Sequence, residues 1–300
     1  MINYWITDSK TFNYNADRAT NLYLRVYEFD TLIYSATIEL VANVNYYTSM
    51  VSGWNTKRVF LIDKDTNEEI IFDLVGQKGE LTEDQKIKFG KYITTLTLDE
   101  KTDLCGIMEK NGSDKSTGHN YTRFYSQIFD KYKKYEINIF ELGLGTNNSE
   151  FDFNMGIDGV PGASLLGWSE YFTKSNVFGA DIDTDCLFNT DRIRTFYCDQ
   201  TNPYIVRQMW DSKYLDFKFD IIIEDGLHTF NGNITFFENS CHKLSYNGIF
   251  IIEDIDSGEI VNWLNKFEEY ETKFPQFNFE FIQLVYTNKP DNNLIKIIYR

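Results

Sequence analysis

Apolar residues follow two different periods along the chain. Over residues 1–80 they fall in β-branched and aromatic runs with partial alternation, as in NLYLRVYEFD and TLIYSATIELV, the spacing of half-buried strands. KRVFLIDKDTNEEIIFDLV reads as a hairpin turning at Asp65-Thr66-Asn67. Asp63, Asp65 and Asn67 have the spacing of a calcium loop. Glu68 stands where such a loop needs glycine, however, and no Glu closes it, so the reading is a polar turn. Beyond residue 80 the pattern becomes helical. Thr82 and Gln85 form a capping box in LTEDQKIKF, and a second helix is predicted over 98–110 with Asn111-Gly112 as its stop. NYTRFYSQIFDKYKKY carries an amphipathic third helix.

From residue 137 strands and helices alternate. Apolar runs predict strands at 137–142, 177–181, 195–198, 220–223, 248–252, 277–286 and 294–299. Helices are predicted around 164–172, 203–210, 231–243 and 259–274. Such alternation means parallel strands joined by crossover helices, hence an open α/β sheet. Only the turn TNKPDNN separates the last two strands, so they should pair antiparallel. The expected organisation is a β-rich N-terminal domain over 1–95 and an α/β domain over 96–300.

Composition narrows the partners. Three hundred residues with 42% hydrophobic content suffice for a large core. No run of about 18 uncharged apolar residues occurs, so no membrane span is expected. MINYWITDSK lacks the basic and apolar regions of a secretory signal. Cys105, Cys186, Cys198 and Cys241 are scattered without CxxC spacing, which suits reduced thiols in the cytoplasm better than disulfides or zinc. A net charge of −16 repels phosphate backbones, so nucleic acid is not an expected partner.

In an open α/β sheet, ligands bind at the carboxyl ends of the strands. The first strand ends FELGLG, where Gly143 and Gly145 let the backbone approach a ligand that a Cβ would meet. Asn148 in place of a third glycine argues against a dinucleotide fingerprint, and no Lys-Ser/Thr follows as in a P-loop. The second ends FGADID. Asp181, with Asp183 in reserve, suits a ribose diol, because one carboxylate accepts from both hydroxyls. The fourth ends FDIIIEDGLHTF and the fifth IIEDID. These strands are neighbours in this topology, so Asp225, Glu253 and Asp254 should converge, with Glu224 turned away. Clustered carboxylates repel unless protonated or bridged by a cation. Oxygen ligands without cysteine or paired histidines point to Mg²⁺, Mn²⁺ or Ca²⁺ rather than zinc. His228, three residues beyond Asp225, can accept a proton from a substrate hydroxyl. His242, near a helix end, is read as structural.

Glu141 followed by Gly-x-Gly resembles the opening motif of class I S-adenosylmethionine-dependent methyltransferases. That resemblance implies a Rossmann-like sheet, mostly parallel with its last strand antiparallel. It places the cofactor's methionine over Gly143 and Gly145 and its adenine at Asp199 and Gln200 in FYCDQ. Together, DIIIEDGLH and FIIEDI resemble a narrower group, the metal-dependent O-methyltransferases of macrolide sugars and bacterial surface polysaccharides. That group shows Asp-Gly-x-His after the fourth strand and Glu-Asp after the fifth. The resemblance implies Asp225, Glu253 and Asp254 as ligands of Mg²⁺ or Mn²⁺ and His228 as general base. GSDKSTGHNYTRFY is similar to the group's Thr-Asp-Lys and His-x-Tyr-Thr segments, with Asp114, Lys115, His119 and Tyr121 in matching places. His119 and Tyr121 then become substrate contacts, and Ser164 meets the group's glycine-serine segment. The resemblance covers residues 98–300. The long loop from Thr146 to Gly162 departs from it and is expected to form a lid, while residues 1–95 match nothing in the group.

The implied activity is methyl transfer from S-adenosylmethionine to a sugar hydroxyl, the sugar being nucleotide-linked or part of a surface polysaccharide. Two rivals stand beside it: a catechol-type O-methyltransferase, and a module that binds the cofactor without turnover. A non-haem iron centre would need His119 and His228 to come together. The acceptor's identity and the oligomeric state, a homo-oligomer included, are left open.

Overall fold

The computed structural model describes residues 81–300 except 152, 153 and 286–288. Before them it describes residues 2–8, 11–16, 19–28, 31–40, 42, 46–49, 57–64, 66 and 69–73. Two compact units form, Met1–Thr82 with Asp256–Asn262, and Glu83–Ile255 with Trp263–Arg300. No helix among the described residues is long and apolar enough to cross a membrane.

The first unit is antiparallel. One sheet joins β1 (Ile2–Asp8), β2 (Thr11–Ala16) and β5 (Tyr46–Ser49). A second has the order β4 (Thr31–Leu40), β3 (Thr20–Glu28), β6 (Lys57–Asp63), β7 (Glu69–Asp73). Alternation in NLYLR is realised in β3, where Leu22 and Leu24 are buried and Tyr23 and Arg25 face out. β6 and β7 pair as the expected hairpin, whose turn residues Asp65 and Asn67 lie outside the described residues.

The second unit is a three-layer α/β sandwich. Its helices are α1 (Glu83–Phe89), α2 (Asp103–Asn111), α3 (Tyr121–Phe129), α4 (Ala163–Tyr171), α5 (Pro203–Trp210), α6 (Phe230–Ser240) and α7 (Ile260–Lys273). Its strands are β8 (Ile93–Thr97), β9 (Asn138–Leu142), β10 (Asn176–Asp181), β11 (Ile193–Tyr197), β12 (Phe219–Glu224), β13 (Leu244–Ile252), β14 (Phe277–Val285) and β15 (Asn293–Tyr299). They form one sheet in the order β11-β10-β9-β12-β13-β15-β14-β8. Every pairing is parallel except those of β15, which runs antiparallel between β13 and β14. The central strands are buried on both faces, so they read as continuous apolar runs. Ile139, Ile221, Ile223, Ile249 and Ile251 pack under Tyr125, Phe129 and Trp168. On the opposite face Phe140 meets Trp210 at 4.6 Å and Phe236 at 6.3 Å. Each such buried side chain contributes about 2 kcal/mol.

The division between units falls at Thr82 and Glu83, not at 95 and 96. The cause is β8, which pairs in parallel with β14 and so belongs to the large sheet. The helix expected over 98–110 accordingly starts later, capped by Thr102 and closed by Gly112 at φ 89°.

Gly143 bears most directly on the site. Its φ is +87°, and a Cβ there would lie 1.9 Å from the Asp225 carbonyl oxygen. The obstacle is backbone, so no rotamer change relieves it. Gly143→Ala should therefore lower stability by about 3 kcal/mol, read as the urea midpoint. An unchanged midpoint would show that the ends of β9 and β12 separate freely.

Candidate active site

Backbone register brings the acidic residues together. Glu224 stands level with Leu142 on one side and Ile252 on the other. The pairing continues past the strands, with Asp225 N–H donating to Leu142 C=O and Glu253 N–H to Glu224 C=O, both at 2.9 Å. Asp225 and Glu253 therefore emerge side by side next to Glu141, the penultimate residue of β9.

Lys115 joins them. It lies in a short turn, Asp114–Ser116, whose cap Ser113 accepts from Lys115 N–H. The residue is only 2% exposed. Its Nζ is 2.5 Å from Asp225 Oδ2, 2.6 Å from Glu253 Oε2 and 3.1 Å from Glu141 Oε1. Glu253 Oε1 accepts from Tyr125 OH at 2.6 Å, and Glu141 Oε2 from Trp168 Nε1 at 2.7 Å. One ammonium among three carboxylates leaves the cluster short of positive charge. Burial, opposed by Lys115, lifts Asp225 to about 6. Burial likewise raises Glu253 well above its ordinary value, with Lys115 pulling the other way and Asp225 and Glu141 adding to the rise. Burial would lower Lys115, but the three carboxylates hold it well above the usual lysine range.

His228 and Asp254 face the open side. Both are non-glycine residues with φ 55°, a conformation that costs on the order of 1 kcal/mol each and persists only where the surroundings impose it. His228 Nδ1 lies 3.0 Å from Asp254 Oδ2, which leaves Nε2 as the basic nitrogen, 3.9 Å from Asp225 Oδ1. Tyr121 OH donates to Asp254 Oδ1 at 2.6 Å. Burial would raise the Asp254 carboxyl, but His228, His119 and the Tyr121 hydroxyl outweigh it and hold it well below the ordinary value. His119 Nε2 is 3.6 Å from Asp254 Oδ1, and its ring stacks on Tyr121 at 4.5 Å.

The loop carrying His228 is braced from below. Glu224 is buried and pushed up to about 7 by that burial. Its Oε1 accepts from Gln200 Nε2 at 2.9 Å, while Gln200 Oε1 accepts from Leu227 N–H at 2.7 Å. Gly226 makes room for this clamp, since a Cβ there would lie 1.9 Å from Gln200 Oε1.

A cavity of about 380 Å³ runs from these residues across the glycine turn to Asp199 and Gln200. Gly143, Gly145, Ser164 and Asp181 line it, as do His119 and Tyr121. Glu141 and Asp183 do not. Glu141 lies beneath the floor holding Lys115 and Trp168, and Asp183 caps a short turn while accepting from Thr146 Oγ1. Asp181 is also partly committed: its two oxygens accept from Leu144 N–H at 2.7 Å and Asp183 N–H at 2.9 Å. The space beside the two glycines is taken by protein, Asp225 carbonyl at Gly143 and Met155 Sδ at Gly145. Their lack of a Cβ serves the chain's own close approach, a correction to the ligand-based reason. The loop after the turn folds back on it, with Met155 N–H donating to Thr146 C=O at 2.7 Å.

No family model matches the chain. Over 154 residues it is 29% identical to 8-demethyl-8-alpha-L-rhamnosyl tetracenomycin-C 2'-O-methyltransferase of Streptomyces olivaceus, covering 51% of this chain and 38% of that protein. Demethylmacrocin O-methyltransferase of Streptomyces fradiae is 28% identical over 138 residues, covering 46% and 32%. The matches thus span about a third of these relatives' length. Among solved structures, MycE methyltransferase from the mycinamycin biosynthetic pathway, in complex with Mg and SAH, superposes with TM-score 0.52 at 17% identity, covering 89% of this chain and 79% of that one. Over about half its length the chain is thus similar in sequence to sugar O-methyltransferases. Its sheet, with one antiparallel strand, has the Rossmann-like methyltransferase fold.

The acids expected as ligands from that resemblance, Asp225, Glu253 and Asp254, are all brought to this end of the cavity. Asp225, His228 and Asp254 offer ligand atoms within 4.8 Å of one another, and so, separately, do Glu141, Asp225 and Glu253. Lys115 lies within the second group, with Glu253 among its counter-ions. The carboxylates of the first group suit a hard divalent ion such as Mg²⁺ or Mn²⁺, with the imidazole beside them left to accept a proton. His119 and His228 both reach Asp254, yet His119 belongs to neither group among the described residues, so a two-histidine iron centre is not assembled. Lys115, Tyr125 and Trp168 had no assigned role in the sequence, where a charged residue in a polar turn and two aromatics of amphipathic helices carry no mark of ion pairing. Tyr125→Phe removes the hydroxyl that donates to Glu253 Oε1 and should cost about 2 kcal/mol, measured by chemical denaturation. A loss within error would mean that Glu253 is satisfied without it.

Proposed function

We propose that the chain is an S-adenosylmethionine-dependent O-methyltransferase acting on a hydroxyl of a sugar carried by a small-molecule glycoside. The observation that carries this reading is His228, oriented by Asp254 through Nδ1 and opposed by Asp225, at one end of a cavity that reaches Asp199. The donor half is assigned to Gly143, Gly145, Ser164, Asp181, Asp199 and Gln200, the acceptor half to His119, Tyr121, Asp225 and His228. Similarity to enzymes named for methylating rhamnosyl tetracenomycin and demethylmacrocin favours an antibiotic-type glycoside over a nucleotide-linked or polysaccharide sugar.

The donor's methyl is already activated as a sulfonium, so the residues have two roles, alignment and proton removal. The acceptor oxygen forms a bond to the methyl carbon as the sulfur–carbon bond breaks, leaving S-adenosylhomocysteine. His228 Nε2 takes the hydroxyl proton, and Asp254 stabilises the imidazolium that results. Asp225 and Asp254, with His228 adjacent, would hold Mg²⁺ or Mn²⁺, which supplies Lewis acidity toward the hydroxyl. Glu253 acts one step back, as counter-ion of Lys115.

Incubation with S-adenosylmethionine and rhamnosylated or macrolide acceptors, followed by mass spectrometry, tests the reading. His228→Ala should lower kcat/KM by about 10²–10⁴-fold, and EDTA should suppress the wild type reversibly. Undiminished transfer in both would exclude this assignment of base and ion.

A further inference from the structure

The residues leading into β15, which the sequence marks only as the end of a turn, reach the acceptor end of the cavity. Asn293 Nδ2 donates to Ile255 C=O at 2.7 Å, one residue beyond Asp254, and Asp291 C=O lies 3.0 Å from the Tyr121 hydroxyl. Between them Asn292, 1% exposed, donates from Nδ2 to Leu284 C=O at 3.0 Å and to Asn120 Oδ1 at 2.8 Å. A backbone carbonyl only accepts, so Leu284 fixes which way the amide points. Asn292 Oδ1 is then the atom that meets His119 Nδ1 at 3.0 Å. An amide oxygen also only accepts, so the proton of that bond belongs to Nδ1. The other ring nitrogen, Nε2, stands 3.6 Å from Asp254 Oδ1. Protonated, it would be drawn into a hydrogen bond with that carboxylate, and the gap fits a bare nitrogen. Stacking on Tyr121 at 4.5 Å holds the ring where it lines the cavity.

We propose that Asn292 is a positioning residue that fixes the proton of His119 on Nδ1, so that Nε2 faces the cavity as a hydrogen-bond acceptor for a second hydroxyl of the sugar. A neutral imidazole in water carries its proton mainly on Nε2, and a neighbouring carboxylate such as Asp254 strengthens that preference. Asn292 reverses it. The two imidazoles then have different partners and different tasks. His228 is oriented by Asp254 and takes a proton, while His119 is oriented by Asn292 and holds a hydroxyl that does not react. Because Nε2 can only accept, a methoxy or keto group at that position of the sugar leaves it without a partner. This methylation therefore precedes any reaction that masks that hydroxyl. The substrate role of His119 rests on the proposed methyl transfer, whereas its tautomer does not.

Imidazole nitrogen resonances of wild type, Asn292→Leu and Asn292→Asp, labelled with nitrogen-15 histidine, are read at about pH 8, above the ordinary histidine range. The chain has three histidines, so each is assigned by its loss in a single variant. Wild-type His119 should show a protonated Nδ1 and a bare Nε2. Asn292→Asp, which keeps the accepting oxygen, should preserve the proton on Nδ1, whereas Asn292→Leu should move it to Nε2. In methylation assays Asn292→Leu should raise KM for the acceptor about tenfold, the worth of one hydrogen bond. Its kcat and its KM for S-adenosylmethionine should stay at the wild-type level, and Asn292→Asp should retain the wild-type KM for the acceptor. Equal damage in both variants, or a loss confined to kcat, would make Asn292 a structural residue and overturn the inference. A wild-type His119 protonated on Nε2 would overturn it too. Should Asn292→Leu not fold, the wild-type resonances decide. Should no acceptor be methylated, the proposed function falls while the resonances still decide the tautomer.

Discussion

A single buried ammonium ties the site together. Lys115 Nζ lies against carboxylates from the ends of β9, β12 and β13, three adjacent strands of the sheet. Parallel pairing puts these acids side by side whatever their charge, because register is set by the apolar faces of the strands. Without a counter-charge the strand ends would repel at the point where they emerge. Removing one partner of such a buried pair typically costs about 3–5 kcal/mol, since a charge is left uncompensated. The turn Asp114–Ser116 is thereby fixed to the sheet, and the helix that follows, α3, places Tyr125 on Glu253 and Tyr121 on the neighbouring Asp254.

Strain is the second constraint. His228 and Asp254 both hold left-handed backbone, and both follow closely on the strand-end acids. That conformation turns each side chain back over the end of the sheet, so the imidazole and carboxylate meet. What over-determines it is the scaffold around the loop: Gln200 bridging Glu224 to Leu227, and glycines at 143 and 226 whose missing Cβ space is filled by neighbours. Glu224 and Asp225, adjacent in sequence, consequently differ in kind. One is sealed beneath the loop, and the other keeps an oxygen at the cavity.

Much of this was legible in the sequence because its causes are local. Alternating strands and helices after residue 137, the antiparallel last pair and the acids ending β12 and β13 follow from period and position. Insertion of β15 between β13 and β14 could not be read, since it depends on pairing between distant segments. β8 was missed for the same reason: ITTLT is short, sits at a sheet edge and pairs with residues nearly two hundred positions away. Lys115 was singled out only by its place in a segment resembling the group's Thr-Asp-Lys, without a role, because a burial repaid by three carboxylates from elsewhere leaves no local signature. Asp183 shows the converse failure. An acid in the right place after β10 suited a ribose, yet tertiary packing commits it to Thr146.

The residual negative charge also bears on turnover under the proposed function. Glu141, Asp225, Glu253 and Asp254 outnumber the positive groups facing them, so the field at this end of the cavity favours cations. It favours a divalent ion, and it favours a donor bearing a positive sulfonium. Methyl transfer turns that sulfonium into a neutral thioether, so the attraction that draws the donor in does not retain the product. The imidazolium formed at His228 meanwhile gains from the same acids. A cluster that looks like an electrostatic liability in the resting chain thus acts in opposite directions on donor and product, and Lys115 limits it to a strength the fold can bear.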